Sequence, residues 1–280
     1  MTDLNVAPID WAKVSGDIWA QRWRDTDRGL EPLQSYLVSA ASERLPQGLS
    51  KAFDIGCGPG STTIAVAKAC PEATITACDI SESLAEIAKQ RTAGMKRVRV
   101  IVGDAESAAA ADAPIDLFFS RHGVMFFDNP GRAFQSFRSA ARDGASLVFS
   151  CFQDWKLNPW ASELASAAAG RVLPPPGRES GGFAFADRDY VFDLFKSSDW
   201  SNAAPLPVSF NYVMGEGGSA VKYALSFMID IGPASRIVQS LPEEDRAAAV
   251  QRMSGVIERH FDGSAVVFPA AAWIWTATAS

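Results

Sequence analysis

The sequence predicts an α/β fold with a doubly wound, mostly parallel sheet. Between residues 50 and 152, short runs of β-branched or aromatic residues alternate with helical stretches, as in consecutive βαβ units. A glycine-rich turn follows the first of these runs and leads into a helix. The 280 residues are enough for one such domain with a sizeable additional segment.

Five strands are predicted in this central part, each an apolar run bounded by turn residues. Asn129 and Pro130 are typical N-cap and N1 residues for the helix after the fourth strand, which Gly144 is expected to end. One of residues 61–63 is expected to cap the first helix. The predicted strands are 51–55, 73–79, 98–102, 115–120 and 146–151.

The segment after residue 152 does not continue the regular alternation of strands and helices. Prolines and glycines between 174 and 182 predict a loop, which we expect to be mobile. Alternating apolar residues over 206–212 predict a sixth strand, and Ser240 with Glu243 resembles a capping box for a long helix. The chain ends in a strand-like run over 270–278. The predicted division is a helical lid segment 1–49, a core 50–152, a cap or substrate segment 153–262 with the sixth strand, and the final core strand 263–280.

Composition narrows the classes of partner. The formal net charge is −6 without a basic run, so neither a nucleic acid nor an anionic membrane surface is expected. No apolar stretch reaches the ~18 residues of a membrane helix, and residues 1–18 do not resemble a signal peptide. The four cysteines form no CxxC pair and there are two histidines, so we expect no metal, reduced thiols and a cytoplasmic location. A small-molecule partner is expected, and a homodimer is left open.

The glycine turn carries the main functional signal. Gly56, Gly58 and Gly60 stand where an apolar strand ends and a helix begins, so backbone and helix N-terminus can approach a polar ligand closely. Dinucleotide-binding proteins place G-x-G-x-x-G here, but Ser61 occupies the position of their third glycine. The tighter spacing favours a ligand without a pyrophosphate. A turn that binds nothing is the structural alternative.

Three further elements follow predicted strand ends. Asp79 can accept hydrogen bonds from both hydroxyls of a ribose, or it can cap a helix. Asp104, between Gly103 and Ala105, can hydrogen-bond an adenine amino group while Ala105 donates its N–H, or it can be an N-cap. The fourth element is the segment 120–130. Because ligands of doubly wound sheets lie at the carboxyl ends of the strands, all four elements should meet in one cleft.

With these motifs in view, residues 50–152 resemble class I S-adenosylmethionine (SAM)-dependent methyltransferases of the ubiquinone- and menaquinone-biosynthesis group. Residues 53–61 match the SAM loop, 76–79 the acidic strand end and 103–105 the adenine-side motif. The resemblance implies a Rossmann-like, seven-stranded, mostly parallel sheet with an antiparallel last strand and a helical cap insertion. It also implies SAM as cofactor and S-adenosylhomocysteine (SAH) as product.

A narrower set of bacterial members matches further, through residues 120–130, 158–160, 183–187 and 269–278, with Trp19 before the core. The group methylates C, O or N atoms of many small molecules, so the resemblance does not give the acceptor. His122 departs from the pattern, which has an aromatic residue there. The residues expected to bind the cofactor are Trp19, Asp54, Gly56, Cys57, Gly58, Gly60, Thr62, Asp79, Ile80, Gly103, Asp104, Ala105, Ser120 and Arg121.

Methyl transfer from a sulfonium is an in-line displacement, so alignment and exclusion of water are the main requirements of the protein. A general base is needed only for a nucleophile that holds its proton strongly, and His122 is the candidate. Structural roles are the alternative for His122 and for the aromatic residues. The residues expected in the substrate pocket are His122, Met125, Phe126, Trp155, Trp160 and Phe183.

Two other functions stay open at this point. One is an NAD(P)-dependent oxidoreductase on a related fold, which the glycine spacing and the strand-like C-terminal run disfavour. The other is a protein that binds SAM without catalysis, because its binding motifs would look the same.

Overall fold

The computed structural model describes residues 10–280, and their strands form a single seven-stranded sheet. The strands are β1 (Lys51–Ile55), β2 (Thr74–Asp79), β3 (Val98–Val102), β4 (Ile115–Arg121), β5 (Ala141–Phe152), β6 (Trp200–Glu216) and β7 (Ala265–Ala279). They lie in the order β3-β2-β1-β4-β5-β7-β6, with β7 antiparallel to both of its neighbours. The predicted mostly parallel sheet with an antiparallel last strand is confirmed.

The helices of the described residues fill the connections between the strands. Residues 1–9 of the predicted lid segment lie outside the described residues. The helices are α1 (Val14–Gln21), α2 (Trp23–Ser42), α3 (Ser61–Ala69), α4 (Glu82–Thr92), α5 (Ala105–Asp112), α6 (Pro130–Ala140), α7 (Pro159–Ala169), α8 (Arg188–Ser197), α9 (Ala220–Asp230), α10 (Pro233–Ser240) and α11 (Glu243–Arg259). Short 3₁₀ helices occur at Val124–Phe126 and Trp155–Leu157. None of the helices within 10–280 is long and apolar enough to cross a membrane.

Local signals explain several helix starts. Asn129 accepts a 3.0 Å hydrogen bond from Arg132 N–H with Pro130 at N1, which confirms the predicted start of α6. Gly144 does not end that helix: α6 stops at Ala140, and Gly144 lies inside β5 with φ +78°. The predicted caps in residues 61–63 are also wrong, since Gly60 occupies the N-cap position of α3 without a side-chain bond.

The C-terminal part contains two differences from expectation. Ser240 does not cap α11: it ends α10, where its hydroxyl donates to Ile237 O at 2.8 Å, and Pro242 precedes α11. The helices α7 and α10 were not predicted. Both begin with a proline at N1, and α7 packs against α10 and α11.

The core is centred on β1, β4 and β5, whose parallel arrangement brings their carboxyl ends to one edge of the sheet. Phe53, Phe118 and Phe149 are fully buried on these strands. Their burial anchors the strands, and hence the loops at that edge, because each large apolar side chain removed from water contributes about 1.5–3 kcal/mol.

Candidate functional site

A cavity of about 740 Å³ lies along the carboxyl edge of the sheet. Its walls come from the segments after β1, β2, β3 and β4, from α1 and α2, and from the cap residues around Phe183 and α10. This is the position at which doubly wound sheets bind ligands. The four predicted strand-end elements therefore do meet in one cleft.

The glycine turn forms one wall of this cavity. Gly56, Gly58 and Gly60 have φ values of 62°, 53° and 81°, a region that favours glycine. A Cβ on Gly58 would meet nothing within 4 Å, so the backbone there is open to a ligand. A Cβ on Gly60 would instead come 3.1 Å from the Cβ of Ala88 in α4. Gly60 does not line the cavity, and its place is explained by close helix packing.

The Asp79 carboxylate is fixed beside this turn. It accepts hydrogen bonds from Gly58 N–H at 2.7 Å and from Ser81 N–H at 2.9 Å. Burial raises the pKa of Asp79, and backbone hydrogen bonds from Ser81, Gly58 and Ile80 partly oppose that effect. The carboxylate thus holds the end of β2 against the turn and lines the cavity at the same time.

A second buried carboxylate lies under the turn. Asp54, which is 1% exposed, accepts a 2.5 Å hydrogen bond from Thr63 and lines the cavity. Burial raises the pKa of Asp54 to about 7, against the opposing effects of the Thr63 bond and of Arg121. Nearby, the Thr62 hydroxyl is buried without a hydrogen-bond partner within the described part of the chain. A ligand with a cationic and a polar group would satisfy both side chains.

Asp104 has a structural role as well as a place in the cavity wall. Its Oδ2 accepts hydrogen bonds from Ser107 N–H at 2.8 Å and from the Ser107 hydroxyl at 2.7 Å, so it caps α5. Burial raises the pKa of Asp104, but these hydrogen bonds outweigh burial and leave the pKa below its usual value. One oxygen is therefore committed to the helix.

The end of β4 contributes Arg121 and His122 to the cavity. The preceding Ser120 does not line it: its hydroxyl donates to Ile55 O at 2.7 Å and accepts from Gly123 N–H at 3.1 Å. Ser120 therefore joins the β1 and β4 loops. Gly123 packs so closely on Gly56 that a Cβ on Gly56 would lie 3.1 Å from the Cα of Gly123. This contact places His122 next to the glycine turn.

An ionic network connects α2 to the glycine turn and to the end of β4. It was not predicted from the sequence. Arg121 donates to Asp27 at 2.7 Å and to Gln34 at 2.9 Å. Arg91 of α4 donates to the other oxygen of Asp27 at 2.9 Å and to Pro59 O of the glycine turn at 2.8 Å. The charge of Arg121 is thus balanced within the chain. No local pattern signals these pairs, because their members are far apart in sequence.

The helix α1 covers one side of the cavity. Trp19 packs edge-on against Trp11, which in turn contacts Phe126 with ring centroids 4.6 Å apart. Just after α1, Arg22 donates to Asp230 of α9 at 2.7 Å. Helix α1 and the residue after it therefore connect the N-terminal segment with the cap segment 153–262.

The far end of the cavity is aromatic. Phe152, Trp160, Phe183 and Tyr212 line it, and Trp160 stacks on Tyr212 with an interplanar angle of 11°. The predicted pocket residue Trp155 lies behind this wall, where its ring packs edge-on against Phe183 at 4.9 Å. Trp155 therefore supports the wall and does not line the cavity.

Hydrogen bonds hold the second half of the predicted 174–182 loop. The Ser180 hydroxyl donates to Phe126 O at 2.9 Å, and Gly181 N–H donates to Met125 O at 3.0 Å. These bonds hold the entry to Phe183 against the 3₁₀ helix that lines the cavity.

Most of the predicted site residues are brought together. Phe152 and Tyr212 line the cavity but were not predicted as site residues, although Tyr212 belongs to the predicted alternating strand. The residues of α10 were not predicted either, because the helix itself was not. Within residues 10–280, no group of three His, Cys, Asp or Glu residues is placed to hold a metal ion. The predicted residues that line the cavity are Trp19, Asp54, Gly56, Cys57, Gly58, Thr62, Asp79, Ile80, Gly103, Asp104, Ala105, Arg121, His122, Met125, Phe126, Trp160 and Phe183.

Comparisons with known proteins find methyltransferases. Residues 52–144 match the family described as methyltransferase domain. A malonyl-[acyl-carrier protein] O-methyltransferase from Xylella fastidiosa is 31% identical over 110 residues, which is 39% of this chain and 36% of that protein. A demethylmenaquinone methyltransferase from Staphylococcus aureus is 40% identical over 68 residues, 24% of this chain and 28% of that protein. The chain thus spans about a third of these curated relatives.

Among solved structures, phosphoethanolamine N-methyltransferase 2 from Haemonchus contortus, in complex with phosphomonomethylethanolamine and S-adenosylhomocysteine, shares the fold. The superposition has a TM-score of 0.55 at 12% identity and covers 95% of this chain and 58% of that chain.

Proposed function

Because residues 52–144 match the methyltransferase-domain family, we propose that this protein transfers a methyl group from SAM to a small-molecule acceptor and releases SAH. The observation that carries the proposal is the continuity of one cavity from the glycine turn and Asp79 to an aromatic far end. A cofactor and an acceptor can lie end to end there, as an in-line displacement requires.

The wall around the glycine turn suits the polar parts of SAM. The open backbone at Gly58 admits the amino-acid part. Asp54 offers a carboxylate to it, and Thr62 offers a hydroxyl that has no partner among residues 10–280. Asp79 lies at the strand end where a ribose is held in this fold class. The residues after β3 then reach the adenine side.

The chain's own residues position the reactants and exclude water. SAM supplies a methyl group that is already activated by its sulfonium. The α1 cover and the aromatic wall enclose the reaction zone, which strengthens the electrostatic interactions inside it. His122 is proposed as the polar group nearest the nucleophile.

The dinucleotide alternative is less well supported. Ser61, in place of the third glycine, bonds to Asp27 and Arg91, which puts a carboxylate at the start of α3. The match of residues 52–144 to the methyltransferase-domain family also favours SAM over a dinucleotide. The second alternative is SAM binding without catalysis. Only a measurement of turnover distinguishes it from the proposed activity.

The cytoplasmic location predicted from the sequence is part of the proposal, and the four free thiols support it. The homodimer remains a prediction, which light scattering of the purified protein would test. Cap residues 153–262 are proposed to hold the acceptor and core residues 50–152 the cofactor.

Mass spectrometry of the purified protein tests the activity. We expect SAM or SAH to co-purify, and the label of methyl-labelled SAM to pass to a small molecule from a bacterial metabolite extract. Boiled protein is the control. Retention of NADH instead of SAM or SAH would contradict the proposal, and SAM retention without label transfer would favour the non-catalytic alternative.

A further inference from the structure

Trp160 lies at the centre of the aromatic far end of the cavity. Its ring contacts three other rings that line the same end, with centroids 5.1 Å from Tyr212, 4.9 Å from Phe152 and 6.1 Å from Phe183. On another side, a Cβ on Gly232 would lie 3.6 Å from Cζ3 of Trp160. Because closely packed rings cannot turn independently, the orientation of Trp160 sets the shape of this end of the cavity.

The indole nitrogen of Trp160 is held by the side chain of Asn158. Nε1–H of Trp160 donates a 3.1 Å hydrogen bond to Oδ1 of Asn158, and this bond is buried. Asn158 is 0% exposed and does not line the cavity. Of the residues within 10–280 to which its side chain bonds, Trp160 is the one that lines the cavity. Asn158 can therefore influence a bound molecule only through Trp160.

The amide of Asn158 has a fixed orientation, because it pairs with Ala271 of β7 in both directions. Oδ1 accepts from Ala271 N–H at 3.0 Å, and Nδ2 donates to Ala271 O at 3.1 Å. Nδ2 also donates to Asp154 O at 3.1 Å. Exchanging the two ends of the amide would leave Ala271 N–H facing a donor. The oxygen is therefore the end that faces the indole N–H of Trp160.

The position of Asn158 in the chain makes this use of its side chain unusual. Asn158 is the N-cap residue of α7, with Pro159 at N1, but its side chain makes no cap hydrogen bond. An N-cap asparagine normally accepts from an N–H of the first turn and thereby stabilises the helix. Here the oxygen is committed to Ala271 and Trp160. The start of α7 thus lacks its side-chain cap, while the ring at the cavity is fixed.

A second buried amide joins β5 to β7 at the same place without a bond to Trp160. Gln153, directly after β5, donates from Nε2 to Ala272 O at 2.7 Å, and its N–H donates to Ala271 O at 2.9 Å. Gln153 and Asn158 therefore share their attachment to β7, and the bond to the indole distinguishes them. This difference makes Gln153 the matched control for Asn158.

We propose that Asn158 is a positioning residue for methyl transfer: it holds the indole plane of Trp160 so that the acceptor lies in line with the methyl group of SAM. This inference rests on the proposed function. Asn158 touches neither reactant and takes no part in making or breaking bonds. Its effect is geometric, because a displacement of about 1 Å can lower the rate of an aligned reaction by about a hundredfold.

Nitrogen NMR tests the bond itself. In protein with isotope-labelled tryptophan, the indole signal of Trp160 is the one that disappears in Trp160→Phe. We expect its N–H to exchange about three- to tenfold faster in Asn158→Leu than in the wild type, as loss of one buried hydrogen bond predicts. Asn158→Asp, which keeps an acceptor oxygen at the same place, and Gln153→Met should retain the slow exchange.

Transfer of label from methyl-labelled SAM to a small molecule of a bacterial metabolite extract tests the effect on the reaction. Asn158→Leu should lower the rate of transfer by about ten- to a hundredfold and leave SAM affinity within about twofold. Gln153→Met and Asn158→Asp should stay within about threefold of the wild type. In a Trp160→Phe background, Asn158→Leu should cause less than about a threefold further loss, because the bond that it removes is already absent.

Circular dichroism checks that each variant is folded. If Asn158→Leu does not fold, Trp160→Phe and Asn158→Asp carry the test. Trp160→Phe removes the indole N–H and leaves the pairing of Asn158 with Ala271 intact, so we expect it to lower label transfer by about three- to tenfold while Asn158→Asp does not. A Trp160→Phe protein with the wild-type rate would contradict the proposal.

Three further results would overturn it: a Trp160 N–H that exchanges equally fast in the wild type and in Asn158→Leu, equal losses of label transfer in Asn158→Leu and Gln153→Met, or a loss in Asn158→Leu that is undiminished in the Trp160→Phe background. Absence of label transfer by the wild type is distinguishable from these. It would refute the proposed function, and the role of Asn158 in the reaction with it, whereas the NMR result does not depend on that function.

Discussion

Asp27 of α2 accepts a 2.7 Å hydrogen bond from Arg121 at the end of β4, although the two residues are 94 positions apart. The second oxygen of this carboxylate binds Arg91, which also holds Pro59 O of the glycine turn. A single side chain of the N-terminal segment thus fixes two loops of the candidate cofactor site.

Asp27→Asn should therefore loosen both loops. Because the Asp27 and Arg121 side chains are only 17% and 10% exposed, we expect the free energy of unfolding to fall by about 1–3 kcal/mol and SAM affinity to fall with it. The matched control is Arg259→Gln, which breaks an exposed 3.9 Å pair with Glu163 and should cost less than about 1 kcal/mol. Urea unfolding of both variants measures the difference, and equal losses would refute the anchoring role of Asp27.

The sequence predicted the sheet well where apolar runs end in turn residues, as at β1, β2, β3 and β4. It also placed Gly58 and Asp79 at the cavity, because the chemistry of that turn is local. It could not predict the Asp27–Arg121 pair, or that Trp155 lies behind the cavity wall, since both depend on contacts between distant segments. Gly232 and Pro233 precede and begin α10, but this pair is equally typical of a loop, so the helix was not predicted.

Asp54 should make the ligand-free protein less stable as pH rises. Its pKa is about 7 in the folded state against an ordinary 3.8, so the folded state holds its proton more tightly than the unfolded state does. The stabilisation by this proton is full below pH 3.8 and is lost as pH rises through 7. At about 1.4 kcal/mol per pKa unit, the loss is on the order of 4 kcal/mol.

Asp54→Asn tests this linkage. The variant should be more stable than the wild type at pH 8, with the difference shrinking toward pH 4, while its affinity for SAH falls if Asp54 pairs with the amino group of the ligand. Denaturant titrations at both pH values and calorimetry with SAH provide the two readouts. A stability difference that does not change with pH would show that the Asp54 pKa is not raised.

His122 should stay neutral through the whole physiological range. Burial and Arg121 lower its pKa to about 3, so the folded state binds fewer protons than the unfolded state between pH 6.5 and 3. The linked stability is therefore present above pH 6.5 and is lost as pH falls through that window. Nitrogen NMR of the His260→Gln variant, which retains one histidine, should show no protonation of the ring at pH 5. A titration midpoint near 6.5 would contradict the buried, neutral ring.

The proposed division between cofactor core and acceptor cap predicts separable effects. Phe183→Leu should lower the transfer of label from methyl-labelled SAM to the small-molecule acceptor by about three- to tenfold, because an aromatic contact is lost, and leave SAM affinity within twofold. Phe192→Leu is the control, since Phe192 packs on Trp275 and does not line the cavity. Equal losses of SAM affinity and of label transfer in Phe183→Leu would argue against separate subsites.

The turn after β1 and the end of β2 are proposed to bind SAM, and two buried aspartates at opposite edges of the sheet allow a direct comparison. Asp79 bonds to Gly58 N–H at the cavity, whereas Asp116 accepts from Lys51 N–H at 2.8 Å and does not line it. Calorimetric titration of SAM into wild type, Asp79→Ala and Asp116→Ala, each checked for folding by circular dichroism, makes the comparison. We predict that Asp79→Ala weakens SAM binding by about ten- to a hundredfold, as loss of a charge-assisted hydrogen bond implies, and that Asp116→Ala binds like the wild type. Wild-type protein that does not bind SAM, or a folded Asp79→Ala with unchanged affinity, would refute SAM binding at this turn.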